Sequence, residues 1–369
     1  MSGETGSLSI LIAAGGTGGH LFPAVAIAEE IKKQRPETSI AFVGTKHKIE
    51  ARVIPGKGYA FSTIWISGFH RRLTFDNVLF PAKIVVSLLQ SFFLIRRLKP
   101  AIVVGTGGYV CGPILYAASL AGVPTVIHES NSYPGVTTRL VASRVTRLFL
   151  TFEVTRKWLP KIDPGKIEIV GNPTRDSLGS VSRKEGSGYF KLDNEKKTLL
   201  VFGGSLGAAS INGIMEKIVP VLEKRGVQII WQTGENDFAR YKNMISEHVW
   251  VGKFIDKIEC AYAAADVVMC RSGATTLAEL TRLGKPAILV PYPYAAANHQ
   301  ELNARAMVEA GAAVMVKDSE LEKAALPTIE EMFSHVAFLD AMGEKSLALG
   351  KPNAGKEIAE KIIDMATSR

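Results

Sequence analysis

One pattern is written twice in this chain: an apolar run, a glycine-rich turn and a helical stretch. The first copy occupies residues 9–31, SILIAAGGTGGHLFPAVAIAEEI, and the second residues 198–218, TLLVFGGSLGAASINGIMEKI. A strand that is apolar along its whole length, rather than at alternate positions, has to be covered on both faces. A helix directly after such a strand supplies that cover and predicts a βαβ unit with a parallel sheet. Two such openings predict two similar α/β domains in tandem.

The rest of the chain fits that plan. Ser9–Ala14, Ile40–Gly44, Ile102–Gly105 and Thr125–His128 read as strands of the first domain. Thr198–Phe202, Gln228–Gln232, Val267–Cys270 and Ala287–Val290 read as strands of the second. The stretch after Gly171-Asn172-Pro173 carries Gly179, Ser180, Ser182, Gly186, Ser187 and Gly188 with few apolar residues, which is loop composition. The interdomain hinge is therefore placed near Asn172, with a first domain of residues 1–171 and a second of 172–349. A last helix near Ala354–Ala366, apolar at Ile358, Ile362 and Ile363, is expected to pack back on the first domain as part of residues 350–369.

Composition narrows the function classes. With 47% hydrophobic and 21% charged residues in 369, the chain is neither disordered nor fibrous, and its length suits two domains. Cys111, Cys260 and Cys270 are odd in number, form no CxxC pair and sit among apolar or small residues. No signal-peptide pattern precedes Ile10, so a reducing cytoplasmic setting is expected. The net charge of +9 suits nucleic acid, an anionic membrane or phosphorylated substrates. No nucleic-acid-binding signature accompanies it, and nucleic acid is set aside.

Several loops carry chemistry. Gly15-Gly16-Thr17-Gly18-Gly19-His20 lets backbone amides approach a ligand ahead of a helix N-terminus. A tight βα turn alone accounts for its glycines; the histidine at its end favours a ligand loop. Its spacing is not that of a dinucleotide fold, and no acid follows at the end of the next strand, which closes on Gly44. Gly203-Gly204-Ser205-Leu206-Gly207-Ala208 repeats the logic, with the Ser205 hydroxyl as a phosphate donor. In Arg271-Ser272-Gly273-Ala274-Thr275-Thr276-Leu277-Ala278-Glu279, a strand end is followed by a helix whose free amides would face an anion. Glu279 suits either the hydroxyls of a ribose or the helix dipole. Asn298-His299-Gln300 and Asn303, after Pro291-Tyr292-Pro293, suit a hydroxyl-rich ligand or a helix cap. Gly105-Thr106-Gly107-Gly108-Tyr109 and His128-Glu129-Ser130-Asn131 follow strands of the first domain and open on the same sheet edge as His20.

No clustered Asp-x-Asp, His or Cys set for a metal appears, so no metal and no cofactor is expected. A GxSxG elbow is also lacking, against a serine hydrolase. Ile84–Ile95 carries no charge and is flanked by Arg71, Arg72, Lys83, Arg96, Arg97 and Lys99. It falls short of the about 20 apolar residues that span a bilayer. An apolar surface rimmed by cations reads as attachment to an anionic membrane. Most of Ile84–Ile95 is expected to be a buried helix, with Phe75–Phe80 as the exposed part.

Taken in order, GGTGGHLFPA, GGY, HES-N, GNPTR, GGSLGA, RSGATTLAE and HQELNA resemble the MurG family from about Ile10 to Gly311. The resemblance implies the GT-B fold, two Rossmann-like domains with parallel sheets facing a central cleft. It implies inverting transfer of GlcNAc from UDP-GlcNAc to the MurNAc 4-hydroxyl of lipid I (undecaprenyl-diphosphate-MurNAc-pentapeptide), giving lipid II in peptidoglycan synthesis. It further implies a peripheral place on the cytoplasmic side of the inner membrane, on an anionic surface, with other cell-wall synthesis proteins as possible partners. By the same resemblance Ala274, Thr275, Thr276, Leu277, Ala278 and Glu279 cradle the nucleotide, Ser205 touches the diphosphate, Gln300 the sugar and Ile255 the uracil. Thr17, Gly18, Gly19, Asn131 and Arg175 complete the donor contacts. Gly107, Gly108 and Tyr109 lie on the acceptor side, and His20 is the general base. The chain departs from the common family pattern at Ser130, Thr174 and Asn298; the first and last bear on sugar contacts, not on the family.

Three other readings compete. A GT-B enzyme with a diacylglycerol acceptor lacks a reason for the GGTGGH and GGY loops. A UDP-GlcNAc 2-epimerase needs acid–base carboxylates and no membrane stretch. A non-catalytic sugar-nucleotide-binding membrane subunit needs neither His20 nor Glu279.

Overall fold

The computed structural model describes residues 8–68, 79–204 and 206–368. The chain divides into two compact units. The first is Met1–Thr174 together with Pro352–Arg369, and the second is Arg175–Lys351.

The first unit is built on a seven-stranded sheet of order β3-β2-β1-β4-β5-β6-β7. Its strands are β1 (Ser9–Ala13), β2 (Ser39–Gly44), β3 (Ala60–Thr63), β4 (Ile102–Gly105), β5 (Thr125–Glu129), β6 (Arg147–Leu150) and β7 (Ile167–Ile169). Every pairing is parallel. The continuous apolar runs do what their pattern requires. Ile10 and Ile12 of β1, with Ile102 and Val104 of β4, enter the core formed with Leu21, Ala24, Ile27 and Ile31 of the helix Gly18–Gln34. Leu11, Ala13 and Val103 enter the opposite core, with Ile114, Leu115 and Ala118 of the helix Cys111–Leu120. The last helix, Ala354–Thr367, buries Ile358, Ala359 and Ile362 in the first of these cores. Lys361 of that helix reaches Glu168 of β7 at 2.7 Å.

The second unit has a six-stranded sheet of order β10-β9-β8-β11-β12-β13, also parallel throughout. Its strands are β8 (Thr198–Phe202), β9 (Gln228–Gln232), β10 (Val249–Gly252), β11 (Val267–Cys270), β12 (Ala287–Leu289) and β13 (Val314–Met315). In both sheets the chain runs outward from the first strand, returns beside it and continues the other way. Two neighbouring strands then send their following loops in opposite directions and open a crevice at their carboxyl ends. That switch lies between β1 and β4 in the first unit and between β8 and β11 in the second. The duplicated strand–glycine–helix pattern sits at both.

Two local expectations are corrected. Residues 183–190 are not loop: Arg183–Phe190 is a helix with a complete capping box. The Ser182 hydroxyl accepts from the Glu185 amide, and the Glu185 carboxylate accepts from the Ser182 amide. Gly186 is there for packing, since a Cβ would lie 2.5 Å from the Cys260 carbonyl oxygen of the helix Ile258–Ala264. The helix Phe80–Leu98 is the second correction. Its buried face runs through Lys83, Ser87, Ser91, Leu94 and Ile95, and the hydroxyls of Ser87 and Ser91 donate back to the Ile84 and Ser87 carbonyls. Small, internally satisfied residues let this helix approach Cys111–Leu120 closely. Ile84, Val85, Leu89, Phe92 and Phe93 are consequently turned outward. The expected exposed stretch Phe75–Phe80 lies mostly outside the described residues, as do Arg71 and Arg72.

Candidate active site

The first unit gathers its chemistry at the carboxyl edge of β1, β4 and β5. Gly16 carries the turn after β1 at φ +91°, and Thr17 begins the helix without a side-chain cap. Thr17 and Gly19 are exposed, and Gly18 and His20 are half-buried. The turn after β4 is moulded against this one. Thr106 donates its hydroxyl to the His20 carbonyl at 2.7 Å. A Cβ on Gly107 (φ +110°) would lie 2.3 Å from His20 Nδ1, and one on Gly108 (φ +87°) would lie 2.2 Å from the Gly15 carbonyl oxygen. These two positions admit only glycine, because both space and conformation exclude a side chain. Tyr109 is exposed beside them. Cys111 closes the turn from below. It accepts from the Gly107 amide and donates to the Ala13 and Gly107 carbonyls, and burial pushes its thiol up to about 12.

After β5, the buried Glu129 organises the next loop. One carboxylate oxygen accepts from the Asn131 amide at 3.0 Å and the Asn131 side chain at 3.3 Å; the other accepts from Gly135 at 2.9 Å and Thr138 at 2.6 Å. His128 is fully buried and donates Nε2–H to the Gly171 carbonyl. Burial, the largest cause, lowers its pKa despite that bond and holds the ring neutral. The structure thus brings Thr17, Gly18, Gly19, His20, Gly107, Gly108, Tyr109 and Asn131 to one edge.

A residue absent from the sequence reading completes it. Glu50, wholly buried at the start of the helix Glu50–Gly56, reaches back under the first turn. Its Oε2 accepts from the Gly16 amide at 3.1 Å, and its Oε1 accepts from the Thr45 amide and hydroxyl at 3.0 and 2.7 Å. The only sequence signal was an acid shortly after β2, displaced from the strand end where dinucleotide folds carry one.

The second unit repeats the arrangement. The helix Ala274–Leu283 leaves β11 with Gly273 at its N-cap and no side-chain cap, so its first amides are open to an anion. The Thr275 hydroxyl is buried there without a hydrogen-bond partner. Glu279 is 5% exposed. It accepts from the Tyr262 hydroxyl at 2.9 Å and faces Arg175 Nε at 3.8 Å. Burial raises its pKa, and Arg175 and Tyr262 act against that rise. Leu277 is buried in the same helix, and Ala278 is half-buried. The glycine turn after β8 is tied to the loop after β10 by Gln232, which donates to the Gly204 carbonyl at 2.8 Å and accepts from the Ile255 amide at 2.8 Å. Ser205 lies outside the described residues. Ser272 donates to the Gln300 carbonyl at 2.7 Å, and the Gln300 side-chain oxygen accepts from the Tyr292 amide at 3.0 Å. Asn298 does not cap its helix; it is left-handed (φ 55°) and donates to Glu301 at 2.6 Å. Its neighbour Ala297 is also left-handed, at φ 52°, a strained setting beside Gln300. Arg271, the first residue of the RSGATT motif, is a brace. It bonds Ser210, Asp318 and the Val290 and Pro291 carbonyls, and its guanidinium lies over Tyr292.

Comparison with known proteins places these two units. Residues 10–150 match the glycosyltransferase family 28 N-terminal domain, and residues 198–362 match the family 28 C-terminal domain. The crystal structure of Acinetobacter baumannii MurG superposes with a TM-score of 0.76 at 24% identity, covering 97% of this chain and 99% of that one. A UDP-N-acetylglucosamine 2-epimerase shares the fold at a TM-score of 0.65 and 15% identity, covering 98% of each chain. The fold alone is shared with epimerases, but the two family 28 domains make the chain a glycosyltransferase of the GT-B class. Curated relatives come from Chlorobaculum tepidum, 44% identical over 98% of this chain and all of its own length, and Flavobacterium psychrophilum, 40% identical over 97% of this chain and 98% of its own. Both are named UDP-N-acetylglucosamine--N-acetylmuramyl-(pentapeptide) pyrophosphoryl-undecaprenol N-acetylglucosamine transferase. The chain belongs to the MurG family.

Proposed function

We propose that the chain transfers GlcNAc from UDP-GlcNAc to the MurNAc 4-hydroxyl of undecaprenyl-diphosphate-MurNAc-pentapeptide, with inversion at the anomeric carbon. The observation that carries this reading is the deeply buried Glu279. A carboxylate held in place by Tyr262 and Arg175, next to an uncapped helix start, suits a ribose and a diphosphate together. A buried charge is costly unless it serves a partner. The names and near-full-length likeness of the relatives support the same donor and acceptor.

In this reading the second unit holds the donor. The amides of Ala274, Thr275 and Thr276 and the unpartnered Thr275 hydroxyl meet phosphate oxygens. Arg175 and Ser205 add donors as negative charge develops on the departing UDP. Leu277 and Ala278 complete the wall. Ile255 offers uracil its carbonyl, since its amide is engaged by Gln232. Gln300 presents its amide NH2 to sugar hydroxyls, its oxygen being held by Tyr292. The first unit carries the acceptor side on Gly107, Gly108 and Tyr109, with Thr17, Gly18, Gly19 and Asn131 as its contribution to the donor. His20 takes the proton of the attacking 4-hydroxyl while the C1–O bond to UDP breaks.

The outward face of Phe80–Leu98 is proposed to rest on an anionic membrane. Val85, Leu89 and Phe93 recur along one side, and Arg96 and Arg97 follow in the last turn. No helix among the described residues is long and apolar enough to cross a membrane. The likeness to the MurG family supports placing this attachment on the cytoplasmic side.

The test is transfer of labelled GlcNAc from UDP-GlcNAc to a lipid I analogue in the presence of EDTA. Butanol-extractable label is the expected result. UDP release with all label left in the aqueous phase would remove the acceptor assignment, and no UDP release would remove the reaction.

A further inference from the structure

Glu50 belongs to none of the contacts described for donor or acceptor, yet the turn that ends in His20 is built on it. Its carboxylate is wholly buried, and two amides and one hydroxyl converge on its oxygens. A Cβ on Gly15 would lie 2.6 Å from Glu50 Oε1, and one on Gly44 would lie 2.5 Å from its Cγ. Backbone on two sides is therefore shaped to this one side chain. The bond to Gly16 fixes the peptide that enters the helix of His20, and the Gly15 carbonyl touches Gly108 of the acceptor turn.

We propose that Glu50 is a positioning residue for the transfer step, holding the turn 14–17 and through it the imidazole of His20. The proposal rests on the role given to His20 above. A carboxylate accepts at both oxygens, so Glu50→Gln keeps the shape but turns an NH2 group toward an N–H or O–H donor. That mismatch displaces the Gly16 peptide.

The experiment compares Glu50→Gln with Thr45→Val in the full chain. Thr45→Val removes the hydroxyl bond to the same carboxylate but leaves the Gly16 bond. Expected for Glu50→Gln are a kcat lower by about 100-fold, as for a displacement of about 1 Å, and a UDP-GlcNAc KM within about threefold of the original. Hydrogen exchange at the Gly16 amide should speed up. Thr45→Val should lower the melting temperature similarly while keeping kcat within about threefold. An unchanged kcat in Glu50→Gln would overturn the proposal, and so would an equal loss of kcat in both variants, which marks mere stability. If Glu50→Gln does not fold, Glu50→Asp takes its place: it keeps the charge, loses the reach to Gly16 and should show the same kcat loss, with full activity overturning the idea. Should the unsubstituted chain transfer no sugar, the assignment of function has failed instead. Gly16 exchange and the His20 ring resonances then decide, and both unchanged in Glu50→Gln would overturn the positioning role.

Discussion

Replacing Val85, Leu89 and Phe93 together by serine separates the apolar and electrostatic shares of membrane attachment. Their side chains are 58%, 55% and 67% exposed. Fully burying a side chain of this kind contributes about 1.5–3 kcal/mol, so these fractions amount to roughly 3–5 kcal/mol on entering a membrane interface. Arg96 and Arg97 add about 1 kcal/mol each near an anionic surface. The apolar face should therefore outweigh the two cations about twofold. The triple variant should lose at least about 100-fold in partitioning onto vesicles of phosphatidylglycerol and phosphatidylethanolamine, and alanine at Arg96 and Arg97 about 30-fold. Flotation of the full chain reads this directly, and transfer to a water-soluble acceptor checks that the fold survives. A triple variant that floats like the original would refute the reasoning, because no other surface was counted.

Further outcomes follow from single contacts. Gly108→Ala forces a left-handed alanine against the Gly15 carbonyl at 2.2 Å; strain and overpacking should cost about 2–5 kcal/mol, read by urea unfolding, and kcat should fall with it. Lys285, which donates to the Ala265 carbonyl, has its pKa lowered by burial to about 8. Its unfolded form keeps the proton up to a higher pH, so between these values the unfolded chain binds more protons and stability rises with pH. Melting curves from pH 7 to 10 should show the original chain gaining on Lys285→Met above pH 8, and parallel curves would contradict the burial of this amine.

The sequence made the scaffold legible where burial leaves no choice. All eight of the strands it marked exist, because a short apolar run between turn residues and helical stretches suits a strand covered on both faces. Four of the strands it passed over, β3, β7, β10 and β13, are the edges of their sheets, and the fifth, β6, opens on Arg147. An edge strand is less covered and need not be apolar throughout. The face of Phe80–Leu98 was misjudged for another reason: apolar residues surround that helix, and its buried side carries Lys83, Ser87 and Ser91 beside Leu94 and Ile95. Small residues were the signal, but only a neighbouring helix gives them meaning. Glu50 escaped because the acid was sought at the end of β2, whereas a helix start brings it back to the turn. Likewise Gly186 looked like loop composition until the carbonyl of Cys260 explained why no side chain fits there.

The division of labour between the two units is the centre of this account, and UDP-GlcNAc titration by calorimetry, run beside turnover, tests it most directly. Glu279→Gln loses charged hydrogen bonds to the donor, so its affinity should fall by about 10- to 100-fold. His20→Ala should bind UDP-GlcNAc as the original chain does while losing turnover. Unchanged donor affinity in Glu279→Gln, or full turnover in His20→Ala, would contradict the assignment of donor and base to these units.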